Sequence, residues 1–454
     1  MPKTKVTLQV IASSQVKDDM IMLSEPFMKQ WKIPAQQAVH MRFGSYTQQV
    51  TVVPLPKQSS IRISQSLLNK FGIISGTPLR ALYKSGDLIL GPLIGVLISR
   101  DYPDQPDKPF GKITMFCKEL VDISHAQGCF VCFFTPQHIE YSMTRLRAWI
   151  YDAGSWYQTT LPIPDVINNR LLSRKSESQA TVQHFMKEAK SRYNTKVFNE
   201  KFLDKTEVFE ALKPDSNLTQ YLPESHSLRN FNTLKSMCVR YPTVFLKPAR
   251  GSLGKGIIRI SRHSDNSFQA MHSTVNGTKR QSFNSLTKLY SSLSVKIKTN
   301  KYQLQQGLTL MENSGRPVDF RALVQKNAAG KWSITSIVAR TASTQNFVSN
   351  LARGGTLSTV KDAVAKSNLS ASAKQDLFRK LKHASLDIAQ GIENHIPAHF
   401  GELGVDLAVD QLGHVWLLEV NSKPSKNDNT PLKEQKVRPS VRKMIEYCRF
   451  LTGF

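Results

Sequence analysis

Apolar residues recur along this chain in short, dense runs separated by turn-forming residues, a pattern that predicts many strands and fewer helices. Val6–Ala12, Val50–Leu55, Ala81–Tyr83, Leu88–Ser99 and Cys129–Phe134 read as strands, and Ser64–Phe71 and Ile113–Val121 as helices. The Pro/Asp-rich stretch Asp101–Phe110 breaks either kind of element. This alternation predicts an α/β region reaching about Leu161, and Pro162 and Pro164 then open a new organisation, which sets an expected N-terminal α/β domain at 1–164. Beyond it, Ser178–Ser191, Lys201–Leu212 and Lys374–Asn394 carry helical patterns. Tyr302–Gln306, Val318–Gln325, Trp332–Ala339, Phe400–Val409 and Trp416–Val420 carry strand patterns. The polar stretch Ser261–Ser285 is expected to be an irregular edge or insertion.

Composition narrows this picture. With 454 residues, 40% of them hydrophobic, the chain is long enough for two or three packed domains. No apolar run approaches the roughly 20 residues of a membrane span, and the start lacks the apolar core of a secretory signal, so a soluble, cytoplasmic protein is expected. Cys129 and Cys132 have zinc-like spacing but no second ligand pair, and the five cysteines are expected to be core residues. A net charge of +27 attracts polyanions of any kind. The basic residues are dispersed and form no recognisable nucleic-acid motif, so sequence-specific nucleic-acid binding is not expected.

The candidate chemistry begins at Val244–Ile260, two β-rich runs joined by a loop that holds Gly251, Ser252, Gly254, Lys255 and Gly256, with Lys247 in the first run. Only two residues separate Gly251 from Gly254, so the spacing is not that of a Walker A loop. It suits a hairpin that is either a structural turn or a cover over a polyphosphate. Asp319 and Arg321 are two apart and share a strand face, as a surface salt bridge or as nucleotide contacts. Arg340, Asn350 and the Gly354–Gly355 pair form a loop or a phosphate-holding turn. Asp406, Glu419 and Asn421 fit two neighbouring strands, and their oxygens suit Mg²⁺.

In this order the motifs resemble those of the ATP-grasp superfamily, in its YheC/YheD-type branch associated with bacterial endospore coats. They are DK at 204–205, FLKPARGSLGKGI at 245–257, YQLQQGL at 302–308, PVDFR at 317–321, Arg340 with Asn350 and the glycine pair, and Asp406 followed by EVN ending at Asn421. The resemblance implies an α/β, two-lobed ATP-grasp region over 165–449, preceded by the N-terminal domain and followed by a short tail at 450–454. It implies that Lys205 and Lys247 contact ATP phosphates under Gly251–Gly256, and that Gln305 and Gln306 border adenine where many relatives carry an acidic residue. Asp319 would orient ribose, and Arg321, Arg340 and Asn350 would meet the transferring group. Asp406, Glu419 and Asn421 would hold Mg²⁺. The implied activity is ATP- and magnesium-dependent carboxylate ligation through an acyl phosphate, on an acidic small molecule or peptide. The endospore coat and its proteins are the implied setting, and no transmembrane partner is implied. A nucleotide-binding coat scaffold without turnover is the alternative.

Overall fold

The computed structural model describes the chain outside residues 1–3, 12–16, 57–59, 141, 252–254, 275–276, 344–354 and 427–436. The first 91 residues close into a seven-stranded barrel, in which Thr4–Ile11 pairs parallel with Ser60–Ser64, and Met20–Ser24 pairs parallel with Tyr46–Leu55. Its two halves are built alike. Ser24 and Ser64, an offset of 40 positions (64 − 24), each precede a seven-residue helix, Glu25–Trp31 and Gln65–Phe71. Each helix ends on a left-handed residue, Lys32 or Gly72. The Ser64 hydroxyl accepts the Leu67 N–H, satisfying one of the amides that a helix start leaves open. Phe43, Phe71, Leu8, Ile21 and Leu23 are fully buried in a core that the barrel shares with Phe130 and Phe134 of the next sheet.

At Gly91–Pro92 the chain leaves the barrel, so the expected strand Leu88–Ser99 is two strands, Asp87–Gly91 and Leu93–Leu97, in different sheets. The second sheet runs in the order Ser155–Pro162, Arg145–Asp152, Phe130–Phe134, Leu93–Leu97, Val166–Asn169, Lys196–Phe198. Residues 1–164 thus contain a barrel and most of a separate sheet, and that sheet is completed by strands beyond 164. The helix Thr114–Gln127 covers it together with Pro439–Thr452, whose Val441, Ile445 and Cys448 share a core with Phe116 and Leu120. All five cysteines are free and buried.

Two further sheets carry the motifs. One has the order Ser225–Ser227, Tyr302–Gln306, Thr243–Pro248, Ile258–Arg262, Phe268–Thr274, Gly277–Phe283. Its last two strands fall within the stretch expected to be irregular. Gly277–Phe283 escapes the apolar pattern because it is a largely exposed edge, where polar side chains face water on both sides. The fourth sheet runs Thr356–Thr359, Trp332–Thr341, Arg316–Lys326, Glu402–Val409, Val415–Asn421, and the amphipathic helix Leu377–His395 seals its back with Leu381, Ile388 and Ile392. Among the described residues no helix is long and apolar enough to cross a membrane.

Candidate functional site

Register in the fourth sheet brings the charged motif residues together. Asp319 lies opposite Arg340, Arg321 opposite Asp406, and Asp406 opposite Glu419. A register shift after Asp406 interrupts the regular pairing of its strand with Val415–Asn421 at that point. Arg321 grips both Asp406 oxygens, one bond being 2.8 Å from Nη2 to Oδ2. Arg340 bridges two carboxylates, 2.6 Å from Nε to Asp319 Oδ1 and 3.1 Å from Nη2 to Asp406 Oδ1. Burial opposes Asp406's ionisation, but the two guanidiniums outweigh it and hold its carboxyl below the usual range. The Arg340 guanidinium is likewise held more firmly protonated by Asp406 and Asp319, against its own burial.

The facing sheet and a helix start supply the opposite wall. Asp204 caps Lys205–Leu212 by accepting the Thr206 N–H at 2.9 Å, which fixes Lys205 as the first helical residue. The Lys205 ammonium then spans the two lobes, 2.6 Å from the Gly251 carbonyl and 3.1 Å from Glu419 Oε1. Lys247 is half-buried and donates to Gln305 Oε1, while Gln305 Nε2 donates to Ser225 Oγ at 3.0 Å. Burial pulls the Lys247 ammonium down to about 8, opposed by the charges of Glu419, Asp406 and Asp319 and assisted by Lys205. Eight of the motif residues therefore meet in one cleft: Lys205, Lys247, Asp319, Arg321, Arg340, Asp406, Glu419 and Asn421.

The other candidates divide. Gln305 joins the cleft through Lys247, whereas the Gln306 carboxamide accepts the Glu224 N–H at 2.9 Å. Gly251 turns on the Pro248 carbonyl, and Lys255 and Gly256 are exposed, Gly256 with a φ of +73°. Ser252, Gly254 and Asn350 lie outside the described residues. Asp319, expected beside ribose, spends at least one oxygen on Arg340.

The expected metal trio offers carboxylate and carboxamide oxygens, which suit a hard cation, although here Asn421 turns its amide N–H toward Asp406 Oδ2 at 3.5 Å. Asp406 is shared with Arg321 and Arg340, and a cation drawn to it would compete with those guanidiniums. Glu419 is the more open carboxylate, its side chain 26% exposed.

A second charged cluster adjoins the cleft and carries no motif. Glu402 is buried between Arg170 and Lys426, and Lys423 is paired with Glu177. Arg170 Nη2 also donates 3.0 Å to the Pro424 carbonyl. Pro424 in turn packs where a side chain on Gly404 would stand, beside Arg321. Burial brings Lys423 and Lys426 each down to about 8. The signal in the sequence was SKPSK directly after Asn421, but its partners at 177 and 402 are remote in the chain.

Comparison with known proteins gives a consistent assignment. Residues 194–451 match a family model described as YheC/D like ATP-grasp. The endospore coat-associated protein YheD of Bacillus subtilis (strain 168) is 25% identical over 397 residues, covering 87% of this chain and 86% of the relative. The endospore coat-associated protein YheC of the same organism is 24% identical over 327 residues, 70% of this chain and 87% of the relative. Among solved structures, the D-cycloserine synthetase DcsG is 11% identical with a TM-score of 0.47 over 78% of this chain and 99% of its own. VanG D-Ala:D-Ser ligase from Enterococcus faecalis is 10% identical with a TM-score of 0.47 over 80% and 99%.

Proposed function

The chain belongs to the YheC/D-like ATP-grasp family, and from that premise we propose that it is an ATP-dependent carboxylate ligase working in the cleft between its two motif-bearing sheets. The observation that carries this reading is Lys247, half-buried and held with Lys205 opposite the Asp319–Arg340–Asp406–Arg321 ladder. In the proposal Lys205 and Lys247 bind ATP phosphates, and the loop Gly251, Ser252, Gly254, Lys255 and Gly256 covers them. The strand end at Gln305 and Gln306 borders the base, and Asp319 orients the ribose side through Arg340.

A substrate carboxylate oxygen attacks the γ-phosphorus while the bond to the bridging oxygen breaks, leaving ADP and an acyl phosphate; a nucleophile then displaces phosphate. Arg321, Arg340 and Asn350 offset the charge that develops on the transferring group, where preorganised cations are worth most. Mg²⁺, when bound by Glu419, Asp406 and Asn421, would neutralise phosphate charge. The coat setting of the named relatives is extended to this chain as part of the same proposal, with an acidic small molecule or peptide as substrate.

Hydroxylamine trapping tests it. With Mg·ATP and the proper acid, the protein should release ADP and form a hydroxamate detectable by mass spectrometry. Lys247→Ala should abolish both by weakening ATP binding, and Arg340→Lys should reduce trapping more than ATP affinity. An ATP-linked product that never contains an acyl group would refute carboxylate activation; ATP binding with no trapped product across a panel of acids would favour the scaffold.

A further inference from the structure

A cleft of about 580 Å³ opens at the opposite end of the Glu402–Val409 and Val415–Asn421 hairpin from Asn421. Arg379, Lys380 and His383 on the helix Leu377–His395 form one wall, and Leu412 and His414 on the hairpin turn form the other. Among the described residues no carboxylate lines it. Three acids bonded to residues of its walls are already engaged: Asp376 by Arg379 at 2.7 Å, Asp387 by the Tyr221 hydroxyl at 2.8 Å, and Asp410 by its own turn. The His383 side chain has no hydrogen bond or ion pair with any described residue, and the Lys380 ammonium has only a 3.4 Å contact to the Gly413 carbonyl.

The turn itself is rigid. Asp410 accepts the Leu412 and His414 N–H groups and the Trp416 indole N–H, at 3.0, 2.9 and 2.9 Å. It thereby holds Leu412 out into solvent, 87% exposed.

We propose that this cleft docks an acidic segment of a partner polypeptide, with an apolar side chain of that segment seated on Leu412. Charge complementarity selects the acidic partner. A lone phosphate fits poorly, because the backbone N–H groups of Leu412, Gly413 and His414 are all spent inside the turn and leave no anion nest. A single-stranded nucleic acid would want open aromatic faces, and here His414 packs on Trp416 with ring centroids 4.5 Å apart while Tyr221 is tied to Asp387. A peptide can satisfy both the cations and the exposed leucine. The strand runs three more steps from Asp406 to its end at Val409, about 10 Å, before the turn that carries Leu412, and the cleft shares no lining residue with the nucleotide site, so the proposal does not depend on that site.

Fluorescence anisotropy with a short fluorescein-labelled peptide of alternating Glu and Leu is the test. The full chain should bind it saturably and more weakly as salt is raised. Lys380→Glu combined with His383→Glu should weaken binding by about tenfold or more, and Leu412→Ser should weaken it several-fold, with melting temperatures unchanged. The proposal falls if the peptide does not saturate, if a peptide of alternating Gln and Leu binds equally well, or if the folded charge-reversal variant binds unchanged. It also falls if oligothymidylate displaces the peptide from the same cleft at comparable concentration.

Discussion

Lys247 is poised to change its charge where most lysines cannot. With its ammonium at about 8 instead of 10.5, roughly half of the molecules hold it neutral at pH 8. A triphosphate placed against it favours the charged form, so ATP binding should take up about half a proton at pH 8 and close to none near pH 6. Calorimetry in buffers of different ionisation enthalpy measures this uptake, and Lys247→Met should remove it even though Lys423 and Lys426 titrate in the same range. The sign for stability follows from the same shift. The folded protein binds this proton less tightly than the unfolded chain, so the penalty is fully present below pH 8 and is relieved as pH rises toward 10.5. Asp406 works in the other direction: its carboxyl is depressed, so the stability it contributes is present at neutral pH and lost as the solution is acidified through the carboxylate range. The residues themselves were legible, because a spacing of two puts Asp319 with Arg321 and Glu419 with Asn421 on common faces. Their pairing was not. Whether Asp319 meets ribose or Arg340 depends on which residue of another strand lies opposite, and register is set by the whole sheet.

At the scale of elements, the junction between strand Tyr302–Gln306 and the following loop shows how close packing constrains the site. A Cβ on Gly307 would stand 2.6 Å from the Thr243 carbonyl oxygen, at the start of the Lys247 strand. Backbone cannot yield as a side-chain end can, so Gly307→Ala should cost about 1–3 kcal/mol and shift the denaturant midpoint accordingly. Gly315→Ala, where no atom lies within 4 Å, meets only the strain of its φ of +72° and should cost less. Strands with one buried face were readable from their alternation. The hairpin Phe268–Gly277–Phe283 was not, since an edge whose strand Gly277–Phe283 has no buried residue leaves no apolar signature. The doubled unit of the barrel had a signature after all: MIMLSEPFMKQW and SIRISQSLLNKF align at the 40-position offset between Ser24 and Ser64, each serine starting a helix.

For the whole molecule, the buried ions Arg170, Glu402 and Lys426 tie the second sheet to the fourth. Glu402→Gln would leave two buried cations facing a neutral group and should lower stability by about 3–5 kcal/mol. Because Glu402 is only 2% exposed, that loss should be insensitive to added salt, unlike any effect of surface charge. Replacing all three ions together, Arg170 and Lys426 by Met and Glu402 by Leu, should recover much of it.

The helix Pro439–Thr452 packs on Thr114–Gln127 across more than 300 residues, and both belong to the same core. During synthesis, the part of the earlier helix that meets Pro439–Thr452 must wait uncovered until nearly all the intervening chain has been made. The later-made helix is therefore a clasp on a sheet made well before it. A nascent chain stalled before Pro439 should hold a finished barrel yet remain sticky and sensitive to protease at the second sheet, and supplying the helix as a separate peptide should protect it.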